Sequence, residues 1–282
     1  MITFDFDYYQ PATQREALDT YQNLKNEGKR ILYYAGGTEI ISLARTKQIQ
    51  FDAVIDIKSI PECNVMEFQN EKLIIGAAVT LTKIIESNLF PLLSATSRRA
   101  ADHTSRNKIT LGGNICGRLP YKEALLPLLL TDTQVIISGG NGTRNIPITE
   151  AFNKEWQFND GEFLLQINVE RSFTALPFCS IKKTKQGKVD YPLITIASLK
   201  KDDKVRVAFS GLSTYPFREL KLEEELNHLA LPLETRITNA FCHLPSPIHS
   251  DLRGSAQYRG FVARNALEEV LVSLGGEQHA SN

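Results

Sequence analysis

The chain has 282 residues, 32 basic and 32 acidic side chains, and a hydrophobic fraction of 42%. This length favours two domains, and the balanced charge argues against general binding to nucleic acid or acidic membranes, because both need an excess of Lys and Arg. No stretch approaches the roughly 18 apolar residues that span a bilayer. The N-terminal run MITFDFDYYQ lacks a basic-then-apolar pattern, so we expect no membrane insertion, no signal peptide and a cytoplasmic location.

In chain order, hydrophobic periodicity and turn residues predict the elements of the first part of the chain. They are a helix over 12–30, strands over 31–34 and 53–57, a hairpin over 64–77, a helix from Thr82, a helix over 91–104, a Gly-rich turn over 110–116, a helix over 123–130, and strands over 134–138, 143–146 and 163–169. Later elements are strands over 177–182, 191–199 and 204–211 and helices over 218–230, 233–241 and 255–274.

This order of strands and helices lacks regular βαβ alternation, which favours an α+β fold over a doubly wound sheet. The change of pattern near residue 170 predicts two domains. The first covers 1–170, with subdomains of about 1–60 and 61–170. The second, smaller α+β domain covers 171–282 and combines an antiparallel sheet with helices.

The four cysteines are scattered along the chain and form no CxxC pair. An iron–sulfur cluster or zinc site held by this chain alone is therefore not expected. The histidines offer no pair with metal-ligand spacing on one helix face. The sequence thus predicts no metal site.

Two short glycine-rich segments are candidates for binding phosphate. Ala35–Glu39 reads AGGTE after an apolar strand, and Thr110–Asn114 reads TLGGN. Paired glycines let the backbone approach a ligand closely, and successive amides can converge on phosphate oxygens. Two such turns that meet in space would grip a diphosphate from both sides. An ordinary tight turn is the alternative for each segment, since neither has GxGxxG or phosphate-loop spacing.

Four motifs together resemble one family, the FAD-binding subunits of molybdenum hydroxylases of the xanthine dehydrogenase and aerobic carbon monoxide dehydrogenase type. They are YAGGTEI at Tyr34–Ile40, IGAAVT at Ile75–Thr80, RNKITLGGNI at Arg106–Ile115 and SDLRGSAQYR at Ser250–Arg259. Their order and spacing match the family over nearly the whole chain. In the last motif, we expect Asp251 and Arg253 to pair in a structural role.

The resemblance implies a two-part FAD-binding domain of the PCMH/vanillyl-alcohol-oxidase type and FAD held without a covalent link. It also implies two partners, a large subunit with molybdopterin and a small subunit with [2Fe-2S] clusters, and electron transfer from those clusters to NAD or another acceptor. No acid–base catalytic residue is implied on this chain. The implied cofactor-binding residues are Tyr34, Ala35, Gly36, Gly37, Thr38, Glu39, Ile40, Val79, Thr80, Thr110, Leu111, Gly112, Gly113, Asn114, Glu123 and Leu164.

The chain departs from the family pattern at three places. Leu119–Glu123 replaces an SPxxD stretch, so that Glu123 stands where the family has a flavin-contacting Asp. Ser180 stands where many relatives have a lysine, and either Lys182 or Lys183 replaces that contact or the contact is absent. Ala100 aligns with an aromatic residue that packs on the flavin in the eukaryotic enzymes.

The sequence leaves open the role of one aromatic cluster and the function of the whole protein. Trp156, with Phe152 and Phe158, fits a partner-docking patch and a core or loop anchor equally well. For the whole protein, the alternatives to a subunit of a molybdenum enzyme are a stand-alone FAD-dependent reductase and a degenerate scaffold that binds no flavin.

Overall fold

The computed structural model describes residues 2–187 and 189–275. Fourteen strands are assigned in this part of the chain. They are β1 Asp7–Tyr9, β2 Ile31–Tyr34, β3 Ala53–Asp56, β4 Met66–Gln69, β5 Lys72–Gly76, β6 Gln134–Gly139, β7 Gly142–Pro147, β8 Phe152–Asn153, β9 Glu155–Trp156, β10 Phe163–Glu170, β11 Phe178–Thr184, β12 Pro192–Lys201, β13 Lys204–Ser210 and β14 Phe217–Arg218.

Eleven α-helices accompany these strands in the described residues. They are α1 Gln14–Asn26, α2 Thr38–Arg45, α3 Leu81–Ser87, α4 Pro91–Ser97, α5 His103–Arg106, α6 Leu111–Cys116, α7 Leu125–Leu130, α8 Ile148–Ala151, α9 Leu220–Leu226, α10 Leu233–Phe241 and α11 Ala256–Gly275. Short 3₁₀ turns lie at Ile57–Ser59, Pro61–Asn64 and Arg171–Phe173. Since helices and mostly antiparallel strands are mixed without regular alternation, the predicted α+β class is confirmed.

The chain forms two compact units that interleave along the sequence. The first unit contains residues up to 89, 102–117 and 132–171, and the second contains 90–101, 118–131 and the residues from 172 onward. The two inserted segments of the second unit carry α4 and α7, which pack against β11 and β13 of that unit. The predicted boundary near residue 170 therefore separates the strands of the first unit's sheets from those of the second unit's sheet. The division into domains 1–170 and 171–282 stays a prediction.

The first unit contains two main sheets. In the smaller sheet, β3 is parallel to both neighbours, in the order β1-β3-β2. All four residues of β3 are buried, and Val54 packs with Ala44 of α2 and with Phe51. The central position of β3 follows from its apolar run Ala53–Ile55, which suits a strand covered on both faces.

The larger sheet of the first unit is antiparallel, in the order β4-β5-β10-β6-β7. Its central strand, β10, has a register shift between Leu164 and Gln166 where it pairs with β6. On the other side of β10, the carbonyl of Leu165 accepts the amide of Ala77 at 2.9 Å, which continues the pairing of Gln166 with Gly76. This hydrogen bond connects the sheet to the segment that follows β5.

The second unit consists of a four-stranded antiparallel sheet, in the order β11-β12-β13-β14, and the helices that cover it. The first eight residues of β12 are buried, as expected for an inner strand. Helix α11 packs against β11 and β12. Its buried residues, which include Ala263, Leu267 and Val270, form one core with Ile196 of β12 and Phe209 of β13.

Most predicted elements are confirmed within a few residues, but several regions differ. The helix predicted over 91–104 ends at Ser97, because Ala101 has a positive φ of 46° and Asp102 caps a separate helix, α5. Helix α2 was not predicted, and neither were the short elements β1, α8, β8, β9 and β14. The turn predicted over 110–116 is helix α6 from Leu111 onward.

In the part of the chain that the structure describes, no helix is long and apolar enough to cross a membrane. The same residues contain no group of three or more His, Cys, Asp or Glu side chains arranged to hold a metal ion.

Candidate functional site

The first glycine turn joins β2 to α2. Gly37 caps the helix with φ 70° and ψ −6°, a left-handed conformation that glycine adopts without steric cost. A Cβ atom at Gly37 would lie 2.1 Å from the hydroxyl oxygen of Tyr34. The phenol of Tyr34 therefore packs directly against Gly37, and a residue with a Cβ atom at position 37 would clash with it. Burial, with a smaller effect of Asp56, raises the pKa of Tyr34.

The amides of this turn are available to a ligand. Among residues 2–187 and 189–275, the N–H groups of Gly36, Gly37 and Thr38 have no hydrogen-bond acceptor. Gly37 also provides no side chain to cap the helix. Unpaired amides at the N-terminal end of a helix favour anions, because their dipoles point toward the ligand. The turn can therefore bind phosphate oxygens.

The second glycine segment is an N-capped helical turn. Thr110 caps α6 by accepting the Gly113 amide on Oγ1 at 3.1 Å, and its carbonyl accepts the Asn114 amide at 2.9 Å. Thr110 also forms an isolated β-bridge with Thr80. The side chain of Thr110 is buried by these contacts. The two glycines serve close packing here, and neither has a positive φ.

The remaining amides of the second segment bond to the chain that follows β5. Leu111 donates to the carbonyl of Val79, and Gly112 donates to the carbonyl of Ala77, both at 2.8 Å. All four amides at 111–114 are thus engaged inside the protein. A ligand contact from this segment would therefore come mainly from side chains. The glycine pattern had predicted that backbone amides of both segments bind the diphosphate.

The two segments are adjacent, as the sequence predicts. A Cβ atom at Gly36 would lie 1.9 Å from the carbonyl oxygen of Lys108 and 3.3 Å from Cα of Ile109. A second contact joins α2 to the end of α6, where a Cβ atom at Gly117 would lie 2.3 Å from a carboxylate oxygen of Glu39. Main chain thus touches main chain at the first contact, and neither glycine leaves room for a side chain.

Two other predicted site residues serve the fold of the first unit. Ile40 is half-buried and packs against the cluster around Val54. Leu164 is buried in β10, opposite Ile137 of β6 and beside the bulge. Their expected contacts with FAD stay predictions.

Trp156 anchors the end of the second segment, which the sequence left undecided. Its indole N–H donates to the carbonyl of Ile115 at 2.6 Å. The ring stacks on Phe158 at 5.2 Å between centroids and meets Phe152 edge-on at 5.7 Å. The indole is partly buried, and an indole N–H in such a position usually finds a hydrogen-bond acceptor. The structure therefore favours the loop-anchor interpretation of this aromatic group.

Glu123 lies in the second unit, where it is buried in an ion pair. Its carboxylate is 3.4 Å from Nζ of Lys182, and both side chains are almost fully buried. Lys182 also donates to the carbonyl of Arg99 at 2.7 Å. Lys183 pairs instead with Glu269 of α11, at 2.7 Å. The structure thus separates the two lysines that the sequence treated as alternatives.

Ala100 and the hydroxyl oxygen of Ser180 are also buried in the second unit. The hydroxyl of Ser180 has no hydrogen-bond partner among the described residues. The contacts of both residues with FAD stay predictions.

The C-terminal motif is organised around Arg259, which is fully buried. Its guanidinium donates to the carbonyls of Leu193 and Gly211, the latter at 2.9 Å, and to Asp251 at 2.6 Å. Arg253, the expected partner of Asp251, is more distant at 3.4 Å. Burial alone would raise the pKa of Asp251, but hydrogen bonds led by that from Arg259 lower it. The structural role is as expected, with Arg259 as the principal partner.

Three unpaired amides beside a capped second segment are typical of proteins that hold a phosphate-bearing cofactor. The family model that matches the chain is described as the FAD binding domain in molybdopterin dehydrogenase, and it covers residues 4–170. The protein therefore belongs to the family of FAD-binding subunits of molybdenum hydroxylases. FAD is its cofactor, and the protein is a subunit of an oxidoreductase.

Relatives with assigned names align over nearly the full length of the chain. The glyceraldehyde dehydrogenase medium chain of Sulfolobus acidocaldarius is 26% identical over 278 residues, which cover 92% of this chain and 95% of the relative. The xanthine dehydrogenase FAD-binding subunit of Escherichia coli is 24% identical over 301 residues, covering 97% and 99%. A carbon monoxide dehydrogenase structure from Hydrogenophaga pseudoflava has a TM-score of 0.87 and 22% identity, covers 98% of this chain and 99% of that chain, and shows the same fold.

Proposed function

We propose that the first glycine turn binds the diphosphate of FAD through the amides of Gly36, Gly37 and Thr38. The observation that carries this proposal is that these three amides have no acceptor among the described residues and lie at the start of α2. A diphosphate offers several anionic oxygens to such a turn. The contact of Gly36 with Lys108 keeps the second segment beside it.

The second segment contributes side chains in this proposal. Asn114 hydrogen-bonds the cofactor, and Val79 and Thr80 lie near the isoalloxazine. Support comes from the hydrogen bonds that fix this part of the chain, since the amide of Leu111 donates to Val79 and Thr110 bridges Thr80. Side chains held on hydrogen-bonded backbone keep a ligand in one orientation.

We further propose that the chain works with two partners, a large subunit carrying molybdopterin and a small subunit carrying [2Fe-2S] clusters. The bound FAD supplies the redox chemistry, by which electrons from the clusters reach NAD or another acceptor. The names of the relatives, which describe medium chains and FAD-binding subunits, support assembly with other chains. A cytoplasmic location is part of the same prediction.

A binding titration tests the proposal on the full chain. We expect the purified protein to retain flavin absorbance, or to regain it when FAD is added, at one FAD per chain. ADP should compete, because it carries the same diphosphate. A protein that takes up no FAD under any reducing or oxidising condition would contradict the proposal.

Copurification tests the partners. The protein purified from its native host should carry molybdenum and iron in the same complex, and iron without molybdenum, or neither metal, would contradict this part. The described residues give no observation in favour of a stand-alone reductase or of a scaffold without flavin. Turnover by the isolated chain with NADPH would support the stand-alone alternative.

A further inference from the structure

Lys58 lies directly under the first glycine turn. It belongs to the 3₁₀ turn Ile57–Ser59 that follows β3, and its ammonium group donates to the carbonyl of Ala35 at 2.7 Å. Twenty-three positions separate the two residues, and no motif connects them in the sequence. The side chain of Lys58 is 40% exposed, so the ammonium group lies at the surface of the first unit.

A buried carboxylate fixes the position of this ammonium group. The side chain of Asp56 is 0% exposed and accepts hydrogen bonds from Nζ of Lys58, from the Lys58 amide at 3.0 Å and from the hydroxyl of Tyr8. Burial and the bond to Asp56 raise the pKa of Tyr8 to about 12, so the phenol remains a donor at neutral pH. Since a buried carboxylate is costly without partners, Lys58 is held in this place.

The Tyr34 ring adds a second restraint on Lys58. Nζ of Lys58 lies 4.6 Å from the centre of the ring, within the range of a cation–π contact. The same phenol supports Gly37 from below. The Tyr34 side chain therefore contacts both the ammonium group of Lys58 and the glycine turn.

The geometry of the peptide bond links Lys58 to the proposed diphosphate site. In a trans peptide, the C=O of one residue and the N–H of the next point in opposite directions. Lys58 holds the carbonyl of Ala35 on one side of the peptide plane. The amide of Gly36 must then face the other side, and it has no acceptor among the described residues. Rotation of this peptide would replace the amide donor by a carbonyl, which repels phosphate.

We propose that Lys58 is a positioning residue of the diphosphate site, whose ammonium group locks the Ala35–Gly36 peptide so that the Gly36 amide faces the cofactor. This inference rests on the proposed binding of FAD at the first turn. Asp56 and Tyr8 act through Lys58 by holding its ammonium group. The ligand class is an organic diphosphate, and the flavin ring is not involved.

The test compares ligands with and without a diphosphate. Affinities for FAD, ADP and riboflavin are measured by calorimetry on the full chain and on Lys58→Met, which keeps the length of the side chain and removes the donor. We expect FAD and ADP to bind about tenfold more weakly or worse, since a hydrogen bond to a charged group is lost. Riboflavin affinity should not change. Lys58→Arg should restore most of the affinity for FAD.

Lys72→Met is the matched control. Lys72 is 47% exposed and pairs with Glu170 at 3.4 Å in the same unit, so its loss removes an equally exposed lysine. We expect its affinities to equal those of the wild type. If Lys58→Met does not fold, Tyr8→Phe takes its place, with a smaller loss of about two- to fivefold for FAD and ADP.

The outcomes separate this inference from the proposed function. A wild-type protein that binds no FAD overturns both. A wild-type protein that binds FAD, with Lys58→Met binding FAD and ADP equally well, overturns only the role of Lys58. An equal loss of FAD and riboflavin affinity in Lys58→Met would show a general structural role and would also overturn it.

Discussion

The two units of the chain hold their key loops by different means. In the first unit, the glycine turn at residue 36 touches the carbonyl of Lys108 directly, with no side chain between the two segments. In the second unit, the motif near the C-terminus is held by the guanidinium of Arg259, which binds the carbonyls of Leu193 and Gly211 and the carboxylate of Asp251. The two segments of the first unit meet by steric contact, with the Lys58–Asp56 ion pair beneath the turn, whereas the C-terminal motif is built around the ion pair of Arg259 itself.

This difference decides which region can bind a ligand. The contact at Gly36 uses van der Waals packing, so the amides of Gly36, Gly37 and Thr38 keep their hydrogen-bonding capacity. The donors of Arg259 are directed at partners inside the protein, because a buried charge requires them. The first region can therefore bind a ligand through its backbone amides, whereas the second region stabilises the fold.

Removing the charge of Arg259 should have the largest effect on stability. Arg259→Met removes the main partner of Asp251, whose side chain is 21% exposed, and removes the donor to the carbonyls of Leu193 and Gly211. Because several hydrogen bonds from a charged group are lost, we expect a loss of about 3–5 kcal/mol in the free energy of unfolding, measured by urea denaturation. Arg253→Met is the control, since Arg253 is 36% exposed and contacts the same carboxylate at 3.4 Å. It should cost less than about 1 kcal/mol, and equal losses in both variants would contradict the central role of Arg259.

A side chain at residue 36 should break the steric contact. The Cβ atom of Gly36→Ala would lie 1.9 Å from the carbonyl oxygen of Lys108, so the two segments must separate. We expect a loss of about 1–3 kcal/mol in stability, as in other overpacked sites, and loss of FAD uptake in the titration. Gly140→Ala is the control, because no atom lies within 4 Å of its Cβ position. Normal FAD affinity in Gly36→Ala would show that the contact is not needed.

The smallest effect is expected at Trp156. Trp156→Phe removes the hydrogen bond to the carbonyl of Ile115 but keeps an aromatic ring, and should cost about 1 kcal/mol. FAD affinity should fall a few-fold, because α6 ends at this anchor. Tyr21→Phe is the control, since it removes a side-chain hydrogen bond of 2.7 Å to Asp160 from helix α1, which carries no predicted site residue. If the two variants bind FAD equally well, the anchor does not influence the site.

Much of the architecture could be predicted from the sequence. Helix α10 has the predicted bounds, because a regular apolar stripe follows Pro232 at its start. The adjacency of the glycine turns was also predicted correctly. The helical conformation at Leu111–Cys116 was not, because two glycines disfavour a helix. Capping by Thr110 and hydrogen bonds to the carbonyls of Ala77 and Val79 compensate, and the latter two join distant parts of the chain.

Other features had no local signal. In the sequence, Lys58 looks like an ordinary solvent-exposed lysine at the end of an apolar strand. Its contact with the carbonyl of Ala35 arises only in the folded chain. The assignment of α4 and α7 to the second unit likewise depends on which sheet covers their apolar faces. Secondary-structure propensity depends on residues that are close in sequence. The sheet against which an apolar helix packs depends on tertiary contacts, which the local sequence does not specify.

The pairing of β10 with both of its neighbours also limits where the chain can change its length. An extra residue at the tip of the β6–β7 hairpin, near Gly140, would extend into open space and leave the pairing of both strands unchanged. An extra residue beside Leu165 would reverse the facing of every later position in β10 and remove the acceptor of the Ala77 amide. A reporter peptide or fluorophore therefore belongs at the hairpin tip, where it can follow cofactor loading without disturbing the strand that supports it.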